Sequence, residues 1–325
     1  MTTDAGTAAP QVSLVIEWDN ASTAGLDRVE AALTNIAKQV DGSDRSIEAI
    51  VAFDPDEAGR DAVEGTVERS GLPNAVTGGI RYVERAGCHY YELKNEAAKE
   101  TRGDVVLLAD SDTLVEPGWL DAILDPFTDP DVSVVAGCVF TEWDDTVFSK
   151  AIALTWNFPL RPDDGPLREA AHFHANNVAF RRRLLLEYPF PKDRRLRGQC
   201  ATLARRLMAD GHTIHETPSA RSVHPSPHGY SYLAQRAMVQ GHDRYLTARV
   251  EADGRKPPVA RAFRVLGSDL RRSARRIARL RREVDLTPAQ MPLAFADAAY
   301  YHLFSWLGWL VSRVAPNAIP DRFDV

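Results

Sequence analysis

Short apolar runs alternate with stretches of helical periodicity along the first 110 residues. Unbroken apolar runs are typical of strands that are buried on both faces. Residues 105–109 form such a run and predict a strand, and the mainly apolar segments 12–16, 47–53 and 80–83 predict three more. Between these runs the apolar side chains recur every three to four residues, which predicts helices over residues 26–40, 61–71 and 91–101. Strands that alternate with helices indicate a parallel sheet with right-handed crossovers, an open α/β layer.

The pattern after residue 130 is more mixed. It predicts a strand over 132–140, a proline-containing loop over 156–165, a helix after Arg181–Arg183, a helix over 201–210 and a short strand from 213 towards 224. We therefore expect three regions, namely a flexible N-terminus (residues 1–11), an α/β body (12–250) and a helical C-terminal region (251–325).

Two carboxylates follow the strand at 105–109. Asp110 and Asp112 lie one residue apart where this strand ends, and Asp19 and Asp54 follow two other strands. Ligands bind at the carboxyl ends of the strands in such sheets. Two neighbouring carboxylates can converge on Mg²⁺ or Mn²⁺, which keep open positions for substrate phosphates. The pattern favours a metal-bound diphosphate, although a solvated turn has the same Asp-x-Asp sequence.

Several motifs follow one another in a specific order and spacing. They are Val12–Ile16, Glu48–Asp54, Lys94-Asn95-Glu96-Ala97, Gly103-Asp104 before Asp110-Ser111-Asp112, Pro117-Gly118-Trp119-Leu120, and Asn177–Arg182. Over residues 12–245 the chain thereby resembles the family 2 glycosyltransferases. The resemblance implies a GT-A (Rossmann-like) fold, with a mostly parallel sheet flanked by helices and here a helical C-terminal appendage. It also implies metal-dependent, inverting transfer of a sugar from a nucleoside diphosphate sugar, such as a UDP- or GDP-sugar, to an unknown acceptor.

The resemblance assigns roles to particular positions. It places Asp110 and Asp112 at the catalytic centre, and it implies a Mn²⁺ or Mg²⁺ ion held by Asp112, Asp110 and a late histidine. His224 occupies the matching place for that histidine, with His228 as its competitor. The implied donor-binding residues are Glu17, Asn20, Asp54, Lys94, Asn95, Asp110 and Ser111, and the implied acceptor-side residues are Asn177, Gln199 and Cys200.

Two segments depart from the family pattern. Glu17-Trp18-Asp19-Asn20 replaces the usual Pro-Thr-Tyr-Asn, which leaves the nucleobase open. Gly198-Gln199-Cys200 replaces Gly-Glu-Asp, whose acid is the usual catalytic base. Neither an amide nor an ordinary thiol takes the proton as a carboxylate does.

Three explanations account for the missing base. The acceptor is already ionised, such as a lipid phosphate or a carboxylate, which the basic runs 181–183 and 192–197 favour. A different residue serves as the base, with Asp193, Glu187, His172 and His174 as candidates. In the third explanation the protein is a degenerate nucleotide-sugar-binding or partner subunit. A nucleotidyltransferase is a further alternative, but it predicts a glycine-rich basic loop after the first strand, where this chain is acidic.

Charge is unevenly distributed. Residues 1–250 carry 11 more acidic than basic side chains, whereas residues 251–325 carry five more basic ones. Nine arginines lie between 261 and 282 beside an apolar stripe, which is typical of a helix at a membrane surface. Residues 294–311 add tyrosines and tryptophans, but they are too short and polar for a transmembrane span. Residues 261–311 therefore make peripheral membrane contact, or they pack on the body or on a second copy of the chain.

The remaining features restrict the setting. The acidic body without a recognition motif argues against nucleic-acid binding. The first residues lack the basic and apolar regions of a secretory signal. Three cysteines, Cys88, Cys138 and Cys200, are odd in number and share no metal-binding spacing. We therefore expect a cytoplasmic protein, peripheral at the inner face of the membrane if the C-terminal region binds lipid.

Overall fold

The computed structural model describes residues 11–156, 158–192 and 198–323. Residues 1–10 of the expected flexible terminus and the base candidate Asp193 lie outside the described residues. The strands are β1 (Val12–Glu17), β2 (Ile47–Phe53), β3 (Ile80–Glu84), β4 (Val105–Asp110), β5 (Leu114–Val115), β6 (Val134–Thr141), β7 (Arg168–Ala170), β8 (Asn177–Arg181) and β9 (Ile214–His224).

Helices connect and flank these strands. They are α1 (Ala21–Ala24), α2 (Leu26–Asp41), α3 (Arg60–Arg69), α4 (Leu72–Ala75), α5 (Tyr90–Lys99), α6 (Trp119–Leu124), α7 (Val147–Thr155), α8 (Arg182–Glu187), α9 (Gln199–Ala209), α10 (Tyr230–Val250), α11 (Val259–Leu280), α12 (Met291–Val314) and α13 (Ala318–Phe323). Short 3₁₀ turns cover Asp125–Thr128 and Arg281–Val284.

The strands form one mixed sheet in the order β3-β2-β1-β4-β8-β6-β9-β5, and β7 pairs with β9. β3, β2, β1 and β4 run parallel to their neighbours. β8 then pairs antiparallel with β4 and with β6. Parallel neighbours need a crossover connection, which α2 supplies between β1 and β2. The expected α/β sheet flanked by helices is confirmed.

The parallel half of the sheet is buried on both faces. Ile16 of β1 packs into one apolar cluster with Leu33 of α2. The preceding residue, Val15, packs into a second cluster with Leu93 of α5. Successive side chains of a strand point to opposite faces, so a strand covered on both faces needs a continuous apolar sequence. This burial explains why the strand pattern is readable from the sequence.

The chain divides into two compact units. The first contains residues 1–139, 161–192 and 199–224, and the second contains 140–160, 193–198 and 225–325. The sheet lies in the first unit, apart from the end of β6, and the second unit is helical. The sequence does not predict α7 or α10 of this helical unit. The domain boundary expected at residue 250 stays a prediction.

Close packing of helices holds the helical unit together. α10 and α12 approach each other so closely that a Cβ atom on Gly241 would lie 1.9 Å from the backbone oxygen of Ser305. The apolar side of α11 contributes Ile277 to a cluster with Ala151 and Leu154 of α7 and Ala298 of α12. Ile277 of the predicted apolar stripe is thus buried within the unit. Among the described helices, none combines the length and apolar character needed to cross a bilayer.

Candidate active site

The ends of β1 and β4 bring two acidic side chains together. Their parallel register pairs Glu17 with Asp110. Asn20 bridges them, because its Nδ2 donates to Oε1 of Glu17 at 2.9 Å and to Oδ2 of Asp110 at 3.0 Å. The other oxygen of Glu17, Oε2, accepts a hydrogen bond from the backbone N–H of Asp19 at 2.8 Å. Glu17 and Asn20 therefore lie beside Asp110, and their role in donor binding stays a prediction.

Asp110 is neutralised by the protein itself. Lys94 Nζ donates to Asp110 Oδ1 at 2.7 Å, and both side chains are buried. The hydroxyl of Tyr90 lies 2.9 Å from Oδ1 and 3.1 Å from Oδ2 of the same carboxylate. Tyr90 and Lys94 are one turn apart on α5, so they share a face of that helix. Tyr90 is not among the predicted site residues, although its i, i+4 spacing from Lys94 places it on the same helix face.

The carboxylate of Asp112 has fewer hydrogen-bond partners than that of Asp110. Its side chain is buried, and Thr113 Oγ1 approaches its Oδ1 at 3.3 Å. Burial raises the pKa of the Asp112 carboxyl, His224 lowers it, and Asp110 raises it further. The adjacent Ser111 hydroxyl is buried without a hydrogen-bond partner. A buried carboxylate, an imidazole and a hydroxyl form a donor set that suits Mn²⁺ or Mg²⁺.

Negative charge accumulates at this end of the sheet. Burial raises the pKa of the Glu17 carboxyl well above its usual value, Asp110 raises it further, and Lys94 opposes this effect. Burial likewise raises the pKa of the Tyr90 hydroxyl, with Asp110 and Glu17 adding to the shift. A divalent cation would be the largest local charge in such a site and would reverse these shifts. The residues present therefore fit a bound metal.

A second group of possible metal ligands lies in the neighbouring loops. Asp19, Glu57 and His89 bring one ligand atom each to within 4.8 Å of one another, and no other such trio occurs in the described ranges. Asp54 ties two loops of this region together, since its carboxylate accepts from the N–H groups of Asp56 at 2.8 Å and Gly87 at 2.6 Å. The sequence places Asp19 at this edge, but it does not reveal Glu57 or His89.

Two of the predicted site residues support the fold. The side-chain amide of Asn95 donates to the Phe190 carbonyl at 2.9 Å and accepts from its N–H at 3.0 Å. Asn177 Oδ1 accepts from Trp119 Nε1 at 2.8 Å, and its Nδ2 donates to Ser222 Oγ at 3.0 Å. Their polar groups are thus engaged inside the protein. Direct roles for Asn95 in donor binding and for Asn177 on the acceptor side stay predictions.

The residues at the position of the usual base begin α9. Gln199 is buried, and Cys200 Sγ lies 3.2 Å from the hydroxyl of Tyr91. Burial raises the pKa of the Cys200 thiol to about 11, so the thiol is protonated at neutral pH. Burial lowers the pKa of His174 to about 4, and His172 and His224 lower it further. His174 is therefore a neutral imidazole near the metal-ligand candidate His224.

The arginine run 181–183 is only partly available to an anionic ligand. The guanidinium of Arg181 donates to the carbonyls of Phe127 at 2.6 Å and Val132 at 3.1 Å. Arg182 Nε donates to the carbonyl of Thr101 at 2.8 Å. Arg183 is exposed. Two of the three arginines thus connect backbone segments around β8.

Comparisons with known proteins identify the family and the fold. The family model described as glycosyl transferase family 2 matches residues 26–188. No curated protein sequence matches the chain significantly. Among solved structures, the mannosyltransferase PcManGT from Pyrobaculum calidifontis, in complex with GDP-Man and Mn²⁺, superposes with a TM-score of 0.59 and 17% identity, covering 95% of this chain and 88% of that chain.

Two further structures superpose less well. TarS 1-349 from S. aureus, in complex with UDP-GlcNAc, has a TM-score of 0.49 and 13% identity, covering 94% of this chain and 92% of that one. GalNAc-T7 with UDP, GalNAc and Mn²⁺ has a TM-score of 0.49 and 14% identity, covering 67% of this chain and 43% of that one. The superposition on PcManGT shows that the fold is GT-A-like. Because the family model covers half of its length, the chain belongs to glycosyl transferase family 2, a family of nucleotide-sugar glycosyltransferases.

Proposed function

We propose that this protein transfers a sugar from a nucleoside diphosphate sugar to an acceptor with the help of Mn²⁺ or Mg²⁺. The observation that carries the proposal is the buried acidic cluster at the carboxyl ends of β1 and β4. The Asp112 carboxylate in this cluster has a hydrogen bond only with the Thr113 hydroxyl among the described residues, while Arg28 Nε donates to the backbone carbonyl of Asp112 at 2.9 Å. The fold relative PcManGT, solved with GDP-Man and Mn²⁺, supports a GDP-sugar as one donor to test. A UDP-sugar is the other donor that the family resemblance implies.

The residues around Asp112 have distinct proposed roles. Asp112 and His224 would hold the ion, and Ser111 would add its hydroxyl. When bound, the ion acts as a Lewis acid for the charge that develops on the diphosphate leaving group. Asp110 and Lys94 position this end of β4, because each is the buried counter-charge of the other. Asn20 would orient the donor beside Glu17.

The acceptor side lacks a carboxylate base at α9. Because Gln199 is an amide and Cys200 holds its proton, we propose that the acceptor is ionised before it attacks, as a phosphate or a carboxylate is. Inversion at the anomeric carbon is proposed from family membership. The same two residues favour one rival, a subunit that binds the nucleotide sugar without transferring it. Membrane contact through residues 261–311, self-association and the absence of nucleic-acid binding stay predictions.

Calorimetry and activity assays together test the proposal. GDP, UDP and their sugars would be titrated with and without Mn²⁺ into the wild type, into Asp112→Asn and into Asp131→Asn. Asp131 is exposed and therefore serves as the matched control. The proposal predicts Mn²⁺-dependent binding of one donor, loss of that binding only in Asp112→Asn, and metal-dependent sugar release or transfer. Binding without turnover favours the rival, and no binding of any nucleotide overturns both.

A further inference from the structure

The helical unit contains a cavity of about 230 Å³ between α7, α10, α11 and α12. Its lining includes the side chains of Arg244, Arg272, Arg276, Ser273, Tyr301 and His302. Every residue of the lining belongs to the helical unit, and none of them is a residue of the acidic site at the ends of β1 and β4. The proposed glycosyl transfer gives this cavity no role.

The lining has an excess of positive charge. Arg244 and Arg272 share one counter-charge, because both donate to the buried carboxylate of Asp269. Arg276 donates to the backbone carbonyl of Phe158 at 3.0 Å, and it has no carboxylate within 4.0 Å among the described residues. Burial lowers the pKa of Arg276, and the positive charge of Arg272 adds to the effect. The three guanidinium groups of the lining therefore have a single paired carboxylate, that of Asp269, among the described residues.

A buried histidine adds an unused polar group. His302 is 3% exposed, and its Nε2 lies 2.7 Å from the hydroxyl oxygen of Ser273. Its Nδ1 has no hydrogen-bond partner and lies 3.9 Å from Oδ2 of Asp269. When Ser273 donates to Nε2 of the neutral ring, the ring hydrogen lies on Nδ1. A ligand oxygen in the cavity would then accept from that N–H.

We infer that this cavity binds a phosphate group. The planar fork of a guanidinium donates two parallel hydrogen bonds to phosphate oxygens, and Arg276 brings a charge that no described carboxylate offsets. The Nδ1–H group of His302, oriented by the Ser273 hydroxyl, supplies a neutral donor on the neighbouring wall. The cavity is smaller than the ~300–1,000 Å³ clefts that enclose drug-sized ligands. It therefore suits inorganic phosphate or the phosphomonoester head of a larger molecule rather than a whole nucleotide sugar.

The test measures binding of inorganic phosphate to the full chain by calorimetry in a phosphate-free buffer containing a chelator, which removes any metal from the other site. Arg276→Gln removes the uncompensated charge, and Arg272→Gln removes a more exposed lining charge in case the first variant does not fold. Arg275→Gln is the matched control, since Arg275 is an exposed neighbour on α11 outside the lining. We expect binding to weaken at least tenfold in each lining variant and to change less than twofold in the control.

Vesicles distinguish a free phosphate from a lipid headgroup. Vesicles of phosphatidylcholine with and without phosphatidic acid, whose headgroup is a phosphomonoester, would be sedimented with each variant. Retention that needs phosphatidic acid, competes with inorganic phosphate and is lost in Arg276→Gln identifies the headgroup. Phosphate binding without such retention identifies the free anion.

Three results overturn the inference. These are no phosphate binding by the wild type, equal binding by Arg275→Gln and both lining variants, and binding that is lost in Asp112→Asn but kept in Arg276→Gln and Arg272→Gln. The last result would place the anion at the acidic site. A chemical-shift change of the His302 ring nitrogens on adding phosphate gives a second readout that does not depend on folding of the arginine variants.

Discussion

The ammonium group of Lys94 and the carboxylate of Asp110 form a buried ion pair, with Nζ and Oδ1 2.7 Å apart. This pair gives the two acids of Asp110-Ser111-Asp112 different electrostatic states. The Asp110 carboxylate contacts its counter-charge directly. The Asp112 carboxylate instead has a threonine hydroxyl at 3.3 Å, and Arg28 Nε donates to the Asp112 backbone carbonyl at 2.9 Å. Two carboxylates that look equivalent in the sequence are therefore expected to respond differently to mutation.

Asp112→Asn and Asp110→Asn should separate stability from metal binding. Asp112→Asn removes a buried carboxylate whose pKa is raised by burial, so we expect the metal-free protein to keep or gain stability. The affinity of Asp112→Asn for Mn²⁺ should fall by more than the roughly 10–100-fold loss that follows when a residue that hydrogen-bonds to a metal ligand is removed. Asp110→Asn instead leaves the buried ammonium group of Lys94 without its counter-charge and should cost about 3–5 kcal/mol of unfolding free energy. Urea unfolding and Mn²⁺ titration of both variants check this, and equal effects on both quantities would contradict it.

Lys94→Met tests whether Lys94 acts through Asp110 or on the donor phosphates. Breaking the buried pair should cost about 3–5 kcal/mol of unfolding free energy, because the Asp110 charge is left without its partner. The double variant Lys94→Met with Asp110→Asn removes both charges and should recover part of that loss. Urea unfolding of the four proteins of this cycle gives the coupling energy, which for residues in contact is about 0.5–3 kcal/mol. A coupling near zero would favour a direct role of Lys94 at the donor.

The sequence predicts the parallel half of the sheet well for a physical reason. β1, β2 and β4 are buried on both faces, so each strand is mainly apolar, and the two polar exceptions in their interiors, Ser13 and Glu48, hydrogen-bond to each other. The ends of β1 and β4 are visible where Glu17 and Asp110 precede the polar loops. α10 was missed because its buried residues, among them Leu233, Val239 and Tyr245, follow no single helical stripe. A helix that packs on several sides gives no amphipathic signal.

The site is only partly predictable for a related reason. Two of the family-like motifs identify Lys94, Asn95 and Asn177 as site candidates. Their roles, however, depend on contacts with residues that are distant in the chain. Lys94 pairs with an acid 16 positions away, and Asn95 pairs with the backbone of Phe190, 95 positions away. Spacing in the sequence carries no information about such contacts. The cavity with Arg276 depends on four helices and is equally invisible in the sequence.

Asn177→Ala should reduce stability more than acceptor binding. Asn177 accepts from Trp119 and donates to the carbonyl of Ala220 at 2.9 Å in a fully buried position. Each buried polar group left without a partner costs about 1–3 kcal/mol. Thermal unfolding should therefore show a large loss, while Asn74→Ala, at an exposed position, stays within about 0.5 kcal/mol of the wild type. A raised acceptor KM with unchanged stability would instead support an acceptor-side role.

Gly241→Ala should disrupt the contact between α10 and α12. The added Cβ would lie 1.9 Å from the Ser305 carbonyl oxygen and 2.8 Å from the Trp309 nitrogen, and neither backbone atom can rotate away. Overpacking of this kind costs typically about 1–3 kcal/mol or more. Gly267→Ala on α11 is the matched control, because its Cβ would meet only the flexible end of Arg271 at 3.6 Å. That control should gain about 0.5–1 kcal/mol, and urea unfolding of both variants measures the contrast.

His302 should make the protein less stable in acid. Burial lowers the pKa of this imidazole from 6.5 to about 4, Asp269 raises it, and Arg244 and Arg272 lower it further. Between these two pKa values the unfolded chain binds more protons than the folded one, so the free energy of unfolding falls as the pH is lowered from 6.5 towards 4. At 1.36 kcal/mol for each pKa unit, the full loss below pH 4 is roughly 3 kcal/mol.

His302→Gln isolates this contribution because glutamine does not titrate. The difference in unfolding free energy between wild type and variant should be constant above pH 7 and should shift in favour of the variant as the pH falls from 6.5 to 4. His228→Gln is the control, since His228 is exposed and stacks on Tyr232 with ring centroids 4.6 Å apart. Urea unfolding at half-unit pH steps makes the comparison. Curves for wild type and His302→Gln that stay parallel over this range would contradict the prediction, because they would show that the folded protein takes up the His302 proton as readily as the unfolded chain.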